Sequence, residues 1–318
     1  MPLFDFRSES GGINRFNPYL PPPPALDQEA LRLEQKTVSG IGIVEGWVPK
    51  HSPQREQTSQ APALICVPGL GMCARSFVRQ LPLARYSELH CLQYPKYGMP
   101  GEQGLGHFAA YLETYIRAHD LENRPGGVVL MGTSMGGAVS MLTAIRAKVK
   151  LRGLMLVGTF ASKRYLSAVQ RNLAPFSWVM NRFLMNFIGR KQLHKTKVFG
   201  TFNRDEAEYM LTCLNYHSNS SLYRAAVGLT RLELLDQLKN VTLPSLVIHG
   251  TNDYVLPHKS GEMIAKTLPN AEFVTVKDGG HALFFIEHEP TNAAMARFLL
   301  KLDSVAAEKK FRPAELVA

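Results

Sequence analysis

The chain lacks the marks of several large protein classes. No stretch approaches the roughly 18 consecutive apolar residues that a spanning helix needs, so an integral membrane protein is not expected. The start, Met1-Pro2-Leu3-Phe4-Asp5-Phe6-Arg7, is broken by an acid and leads into no long apolar core, so it does not read as a signal peptide. Cysteine is scarce. Cys66, Cys73, Cys91 and Cys213 form no C-x-x-C pair, and a chain of 318 residues needs no disulfide staples. Reduced thiols and a cytoplasmic location are the expectations that follow. No metal-ligand cluster and no dinucleotide-binding fingerprint occurs, so neither metal nor cofactor is expected. Charged residues are only 19% against 45% apolar, a balance that excludes disorder over most of the chain.

What is present begins with charge: 36 Lys and Arg against 26 Asp and Glu, a net +10. No recognised motif or basic-aromatic strand pattern accompanies it, so nucleic acid is not an expected partner. Residues 1–60 read as a proline-rich arm, with Pro21 to Pro24 favouring polyproline II, followed by one or two strands between Thr37 and Val48. From Ala63 the rhythm changes. Short apolar runs at Ala63–Val67, His90–Tyr94, Gly127–Met131, Leu151–Val157, Ser245–His249 and Phe273–Val276 read as buried strands. Helical patterns at Phe108–His119 and Gly136–Val149 alternate with them, which predicts an α/β fold with a parallel, doubly wound sheet. Residues 161–235 break the alternation and read as a helical lid inserted between two strands. The expected organisation is therefore an α/β core over 61–160 and 236–303, interrupted by that lid, with a tail over 304–318.

The chemistry is carried by Met131-Gly132-Thr133-Ser134-Met135-Gly136-Gly137, a G-x-S-x-G placed between a buried strand and a helix. Such a turn requires small residues at Gly132 and Gly136. It lifts the Ser134 hydroxyl above the sheet, at a helix N-terminus that favours developing negative charge. A serine nucleophile needs a base, and the base an orienting acid. Asp253 follows the strand ending at His249, and His281 follows the next strand. Ser, Asp and His thus lie in that order, each beyond the carboxyl end of a strand. Asp278 is the rival acid, poorly placed on the same loop as His281. His249 is the rival base, expected to be structural. Oxyanion donors are assigned to the Leu70 and Met135 amides, the first in the glycine-bearing loop Pro68-Gly69-Leu70-Gly71-Met72.

With these motifs in view, the sequence resembles an α/β-hydrolase, and within that superfamily the lidded esterase, lipase and carrier-protein methyl-esterase group. The likeness spans Ala61–Phe160 and Leu235–Asp303, and rests on the Pro68–Met72 loop, the Gly132–Gly137 elbow, Gly250–Asp253 and Gly280-His281. It departs twice: Pro68-Gly69 stands where the family often has His-Gly, and Gln93, Lys96 and Pro100 replace residues of its D-x-P-G-x-G-x-S loop. The resemblance implies hydrolysis of an ester or thioester through an acyl-enzyme, without a cofactor.

Substrate clues lie in the lid. It holds eleven Lys or Arg against four Asp or Glu, an excess of seven, among them Arg190, Lys191, Lys195 and Lys197. Apolar residues from Phe176 to Ile188 would cover an acyl chain. A basic, apolar lid suits an acyl group presented by an acidic carrier protein, a coenzyme A ester or an anionic lipid surface; the plainer alternative is a solvated helical face. Haloperoxidase-like perhydrolases and C–C bond hydrolases share the same three residues, and a non-catalytic hydrolase-fold binding protein is the alternative from another class.

Overall fold

The computed structural model describes residues 31–39, 42–50, 61–95, 104–168, 202–214 and 219–311. The proline-rich arm and residues 169–201, with Arg190, Lys191, Lys195 and Lys197, lie outside the described residues. No helix among the described residues is long and apolar enough to cross a membrane.

A hairpin opens the fold: β1 (Leu31–Val38) pairs antiparallel with β2 (Gly42–Pro49), Leu31 opposite Pro49. Val44 and Val48 alternate inward while Ile43 faces solvent. Six further strands follow: β3 (Ala63–Val67), β4 (Glu88–Gln93), β5 (Val128–Thr133), β6 (Gly153–Val157), β7 (Ser245–Gly250) and β8 (Ala271–Val276). All eight form one sheet in the order β1-β2-β4-β3-β5-β6-β7-β8, parallel from β4 onward. Every residue of β3, β5, β6 and β7 is buried, as continuous apolar runs covered on both faces should be.

Strand alternation sorts the core into two layers. Ala63, Ile65, Val67, Val128, Leu130, Leu154 and Leu156 face one side, whereas Leu64, Cys66, Val129, Met131, Met155 and Val157 face the other. The first side is covered by α1 (Leu105–Ala118) and α2 (Met135–Arg146). In α1 the stripe Phe108, Leu112, Tyr115 and Ile116 recurs at helical spacing and is buried. The α2 helix stops where Ala147 turns left-handed at φ 49°.

The insertion after β6 contributes α3 (Arg204–Leu214) and α4 (Asn219–Leu229), one to each layer: Tyr209 and Met210 join the second, Ala225 and Leu229 the first. The short α5 (Leu235–Leu238) and α6 (His258–Thr267) complete the first side, and α7 (His288–Phe311) covers the second beside a kinked 3-10 segment at Ala74–Arg85. The α7 helix continues past Asp303 to Phe311. All four cysteines are buried and none is in a disulfide among the described residues; Cys66 and Cys91 are neighbours across β3 and β4, and burial raises the Cys66 thiol pKa first, its contact with Cys91 second.

Candidate active site

The chain passes from β3 to β4 on one side, then crosses back to β5 on the other side of β3. A reversal of this kind opens a crevice beyond the carboxyl ends of the two flanking strands. The loops after β3 and β5 meet there: a Cβ built on Gly69 would lie 3.4 Å from the Ser134 Cβ. The Gly69 carbonyl accepts from the Met72 N–H at 3.1 Å, and Gly71 takes φ 77° to close this turn. Neither the Leu70 nor the Met135 amide donates to a backbone carbonyl within the described residues.

Ser134 occupies the strand-to-helix turn at φ 51°, ψ −118°, a conformation that costs a β-carbon-bearing residue about 1–3 kcal/mol. The surroundings hold it there. Its N–H donates to the Val157 carbonyl at 3.0 Å, and its own carbonyl accepts from Thr159 Oγ1 at 2.6 Å and the Gly137 N–H at 3.0 Å. Close packing explains the two elbow glycines. A Cβ on Gly136 would run into the Val67 and Pro68 carbonyls, and one on Gly132 into the Gly136 backbone.

Asp253 and His281 reach the same edge from the loops after β7 and β8. His281 Nδ1 lies 2.8 Å from Asp253 Oδ2, and its Nε2 lies 3.1 Å from Ser134 Oγ. An ionised carboxylate only accepts, so Nδ1 carries the proton and Nε2 presents a lone pair to the serine hydroxyl. Asp253 Oδ1 accepts from the Val255 N–H at 2.9 Å and the Leu256 N–H at 2.8 Å. Burial alone would raise the Asp253 pKa. The charge of His281, then hydrogen bonds from His249, His281 and the Leu256 amide, outweigh it and hold the carboxyl well below its ordinary range.

The rivals separate cleanly. Asp278 is exposed, turned at φ 59°; its Oδ1 sits 3.4 Å from Asn252 Nδ2 and its N–H donates to Thr251 Oγ1 at 2.8 Å. His249 is fully buried, with Nε2 3.2 Å from Asp253 Oδ2. That contact, together with Thr159 under the elbow, was not evident in the sequence. Gln93, where the resembling family carries an acid, ties two backbone segments together. Its Oε1 accepts from the Ala74 N–H at 3.0 Å, and its Nε2 donates to the Tyr94 carbonyl at 3.0 Å. Two basic residues of the insertion, Arg224 and Arg231, line a cleft of about 370 Å³ with Gly104 and Leu105 at the start of α1.

A family model described as the alpha/beta hydrolase family matches residues 64–294. The chain belongs to that family. Among related hydrolases, the pimeloyl-[acyl-carrier protein] methyl ester esterase of Vibrio campbellii is 24% identical over 246 residues, 72% of this chain and 91% of that one. Polyketide synthase ThaQ of Burkholderia thailandensis is 26% identical over 76% of this chain, and the match spans only 12% of that much longer protein. In structure, an esterase from Thermogutta terrifontis superposes with a TM-score of 0.69 at 22% identity, covering 85% of this chain and 99% of that one; this likeness is one of fold.

Proposed function

We propose that this member of the family is a serine hydrolase that cleaves a carboxylic ester or thioester through an acyl-enzyme. The observation that carries the proposal is the continuous relay from Asp253 Oδ2 through His281 to Ser134 Oγ, with separations of 2.8 and 3.1 Å. In this mechanism His281 Nε2 takes the Ser134 proton as Oγ attacks the acyl carbonyl, and Asp253 stabilises the imidazolium that forms. The Leu70 and Met135 amides hold the oxyanion, and the proton passes from His281 to the leaving alkoxide or thiolate. Water activated by His281 then releases the acid. Gly69, Gly132 and Gly136 serve by keeping side chains out of the contacts around the serine, and Gly71 by taking φ 77° in the loop after β3.

Two measurements test this. A fluorophosphonate label should attach to Ser134, which a non-catalytic binding protein on the same scaffold would not support. Ser134→Ala should remove hydrolysis of p-nitrophenyl and acyl-thioester substrates by about 10⁴-fold or more with the fold intact. Turnover at the wild-type rate in that variant would sink the assignment.

In the same proposal the insertion over 161–235 is a lid, and the acyl group arrives on an anionic carrier. The cleft that brings Arg224 and Arg231 against the α1 N-terminus supports this, because two guanidinium groups and helix-end amides favour an anion. The relative from Vibrio campbellii is named for a carrier-linked methyl ester, which agrees in class. Charge reversal at Arg190 and Lys191 should slow hydrolysis of a carrier-linked ester and spare a small p-nitrophenyl ester. Equal loss on both would refute the carrier.

A further inference from the structure

His249 is the penultimate residue of β7, four residues before Asp253, and its side chain is fully buried. Nε2 faces two groups at once, the Leu256 carbonyl at 3.1 Å and Asp253 Oδ2 at 3.2 Å. Both are acceptors, so Nε2 must carry the proton and share it between them. The other ring nitrogen, Nδ1, is buried without a hydrogen-bond partner among the described residues, and its side of the ring rests on Gly261 of α6. His258 packs edge-on against the same ring, with centroids 5.9 Å apart.

The carboxylate of Asp253 is therefore gripped at both oxygens. Oδ1 is fixed by two backbone amides, and Oδ2 by two imidazoles, of which only one reaches the serine. A histidine kept for packing alone would need nothing beyond the Leu256 carbonyl. We infer that His249 is a positioning residue for the reaction: its Nε2–H anchors Asp253 Oδ2 so that the remaining lone pair meets His281 Nδ1. This rests on the proposed roles of Ser134, His281 and Asp253. Gly261 belongs to the same arrangement, because a Cβ there would lie 2.7 Å from His249 Nδ1 and 2.9 Å from its Cβ.

The test compares His249→Gln, whose amide can still donate, with His249→Met, of similar bulk but without a donor. The readout is covalent inactivation of the full chain by a fluorophosphonate, resolved into kinact and KI, with Tm measured on each variant. A hydrogen bond to a charged group is worth enough that its loss should lower kinact about 10- to 100-fold in the Met variant, with KI unchanged. The Gln variant should stay within about 3-fold of wild type on the same argument. Equal kinact in the two variants, whatever their Tm, overturns the inference. Should His249→Met fail to fold, Gly261→Ala decides. It displaces the ring, and the overpacking outweighs the gain in helix propensity, so Tm should fall; measured where the variant is fully folded, kinact should fall with KI unchanged, and an unchanged kinact overturns the inference. If wild-type Ser134 itself resists the label, the proposed function fails instead.

Discussion

Asp253→Asn puts the relay under the most direct strain, because the substitution changes one atom in a site where four donors converge. Two are backbone amides on Oδ1 and two are ring nitrogens on Oδ2. Asparagine offers one acceptor oxygen and one NH2. The backbone amides cannot turn, so the oxygen goes to them and the NH2 is left opposite His281 and His249. His281 escapes the clash only by moving its proton from Nδ1 to Nε2. It then points an N–H at Ser134 Oγ, 3.1 Å away, and has no lone pair with which to take the hydroxyl proton. Tautomer reversal of this kind costs about 10⁴-fold in kcat in serine-histidine-aspartate enzymes.

Stability should fall as well, since the donor of His249 is left against an N–H at a cost of about 1–3 kcal/mol. The assay is steady-state hydrolysis of p-nitrophenyl butyrate with kcat and KM resolved, alongside the urea midpoint. The expected result is a collapsed kcat, a KM near that of the wild type, and a modest loss of stability. Asp278→Asn serves as the control and should leave kcat unchanged. An Asp253→Asn protein that kept more than about a tenth of wild-type kcat would refute the acid's assignment, because no tautomer argument allows so small a loss.

Two further outcomes follow from the packing. Gly136→Ala should cost about 3 kcal/mol or more, because the new methyl group meets the rigid Val67 and Pro68 carbonyls; the urea midpoint reads it directly. In acid, His119 should limit stability. Burial first, then repulsion from His90 and Lys36, lowers its pKa from 6.5 to about 4 against the opposing pull of Glu34 and Glu88. A base neutral in the fold and protonated when unfolded stabilises fully above pH 6.5 and loses that contribution as pH falls toward 4. That loss appears as a fall in unfolding free energy between pH 6.5 and 4, which His119→Gln should remove from the pH dependence of unfolding.

The sequence made the elbow legible because its constraint is local. Gly132 and Gly136 flank a serine between an apolar run and a helix, and few other arrangements tolerate that spelling. Asp253 and His281 could be read for a related reason: in a parallel sheet the residue after each strand returns to one edge, whatever the intervening chain does. Legibility ended where position depends on three-dimensional approach. The β1 strand begins at Leu31, earlier than its pattern suggests, because Arg32, Leu33 and Gln35 to Thr37 lie on an exposed edge where no alternation is enforced. The 3-10 segment at Ala74–Arg85 carries Pro82 and a kink at Phe77, so it shows no 3.6-residue period. The His249 contact needed the turn from Gly250 to Asp253 to fold the carboxylate back beneath the strand end. The only signal in the chain was the four-residue spacing between that histidine and the acid.

The same division separates chemistry from substrate. At the elbow, Gly136 lies against the Val67 and Pro68 carbonyls and Gly69 against the Ser134 Cβ, so backbone contact sets the distance between Ser134 and the proposed oxyanion amides. Side chains can vary around such a frame without moving it. On the proposed function, such a frame would keep Ser134, His281 and Asp253 in register even where Gln93, at the end of β4, stands in place of the acid of the resembling loop. Gln93 ties the end of β4 to Ala74, within the 3-10 segment that receives Tyr209 of α3 through its Arg75 carbonyl. The insertion is thereby anchored to the core at a point remote in sequence from the serine. On the proposed function, changes in the inserted helices alter what reaches Ser134 without disturbing how it reacts, so substrate preference is to be sought in that insertion and reaction class in the glycines of the elbow.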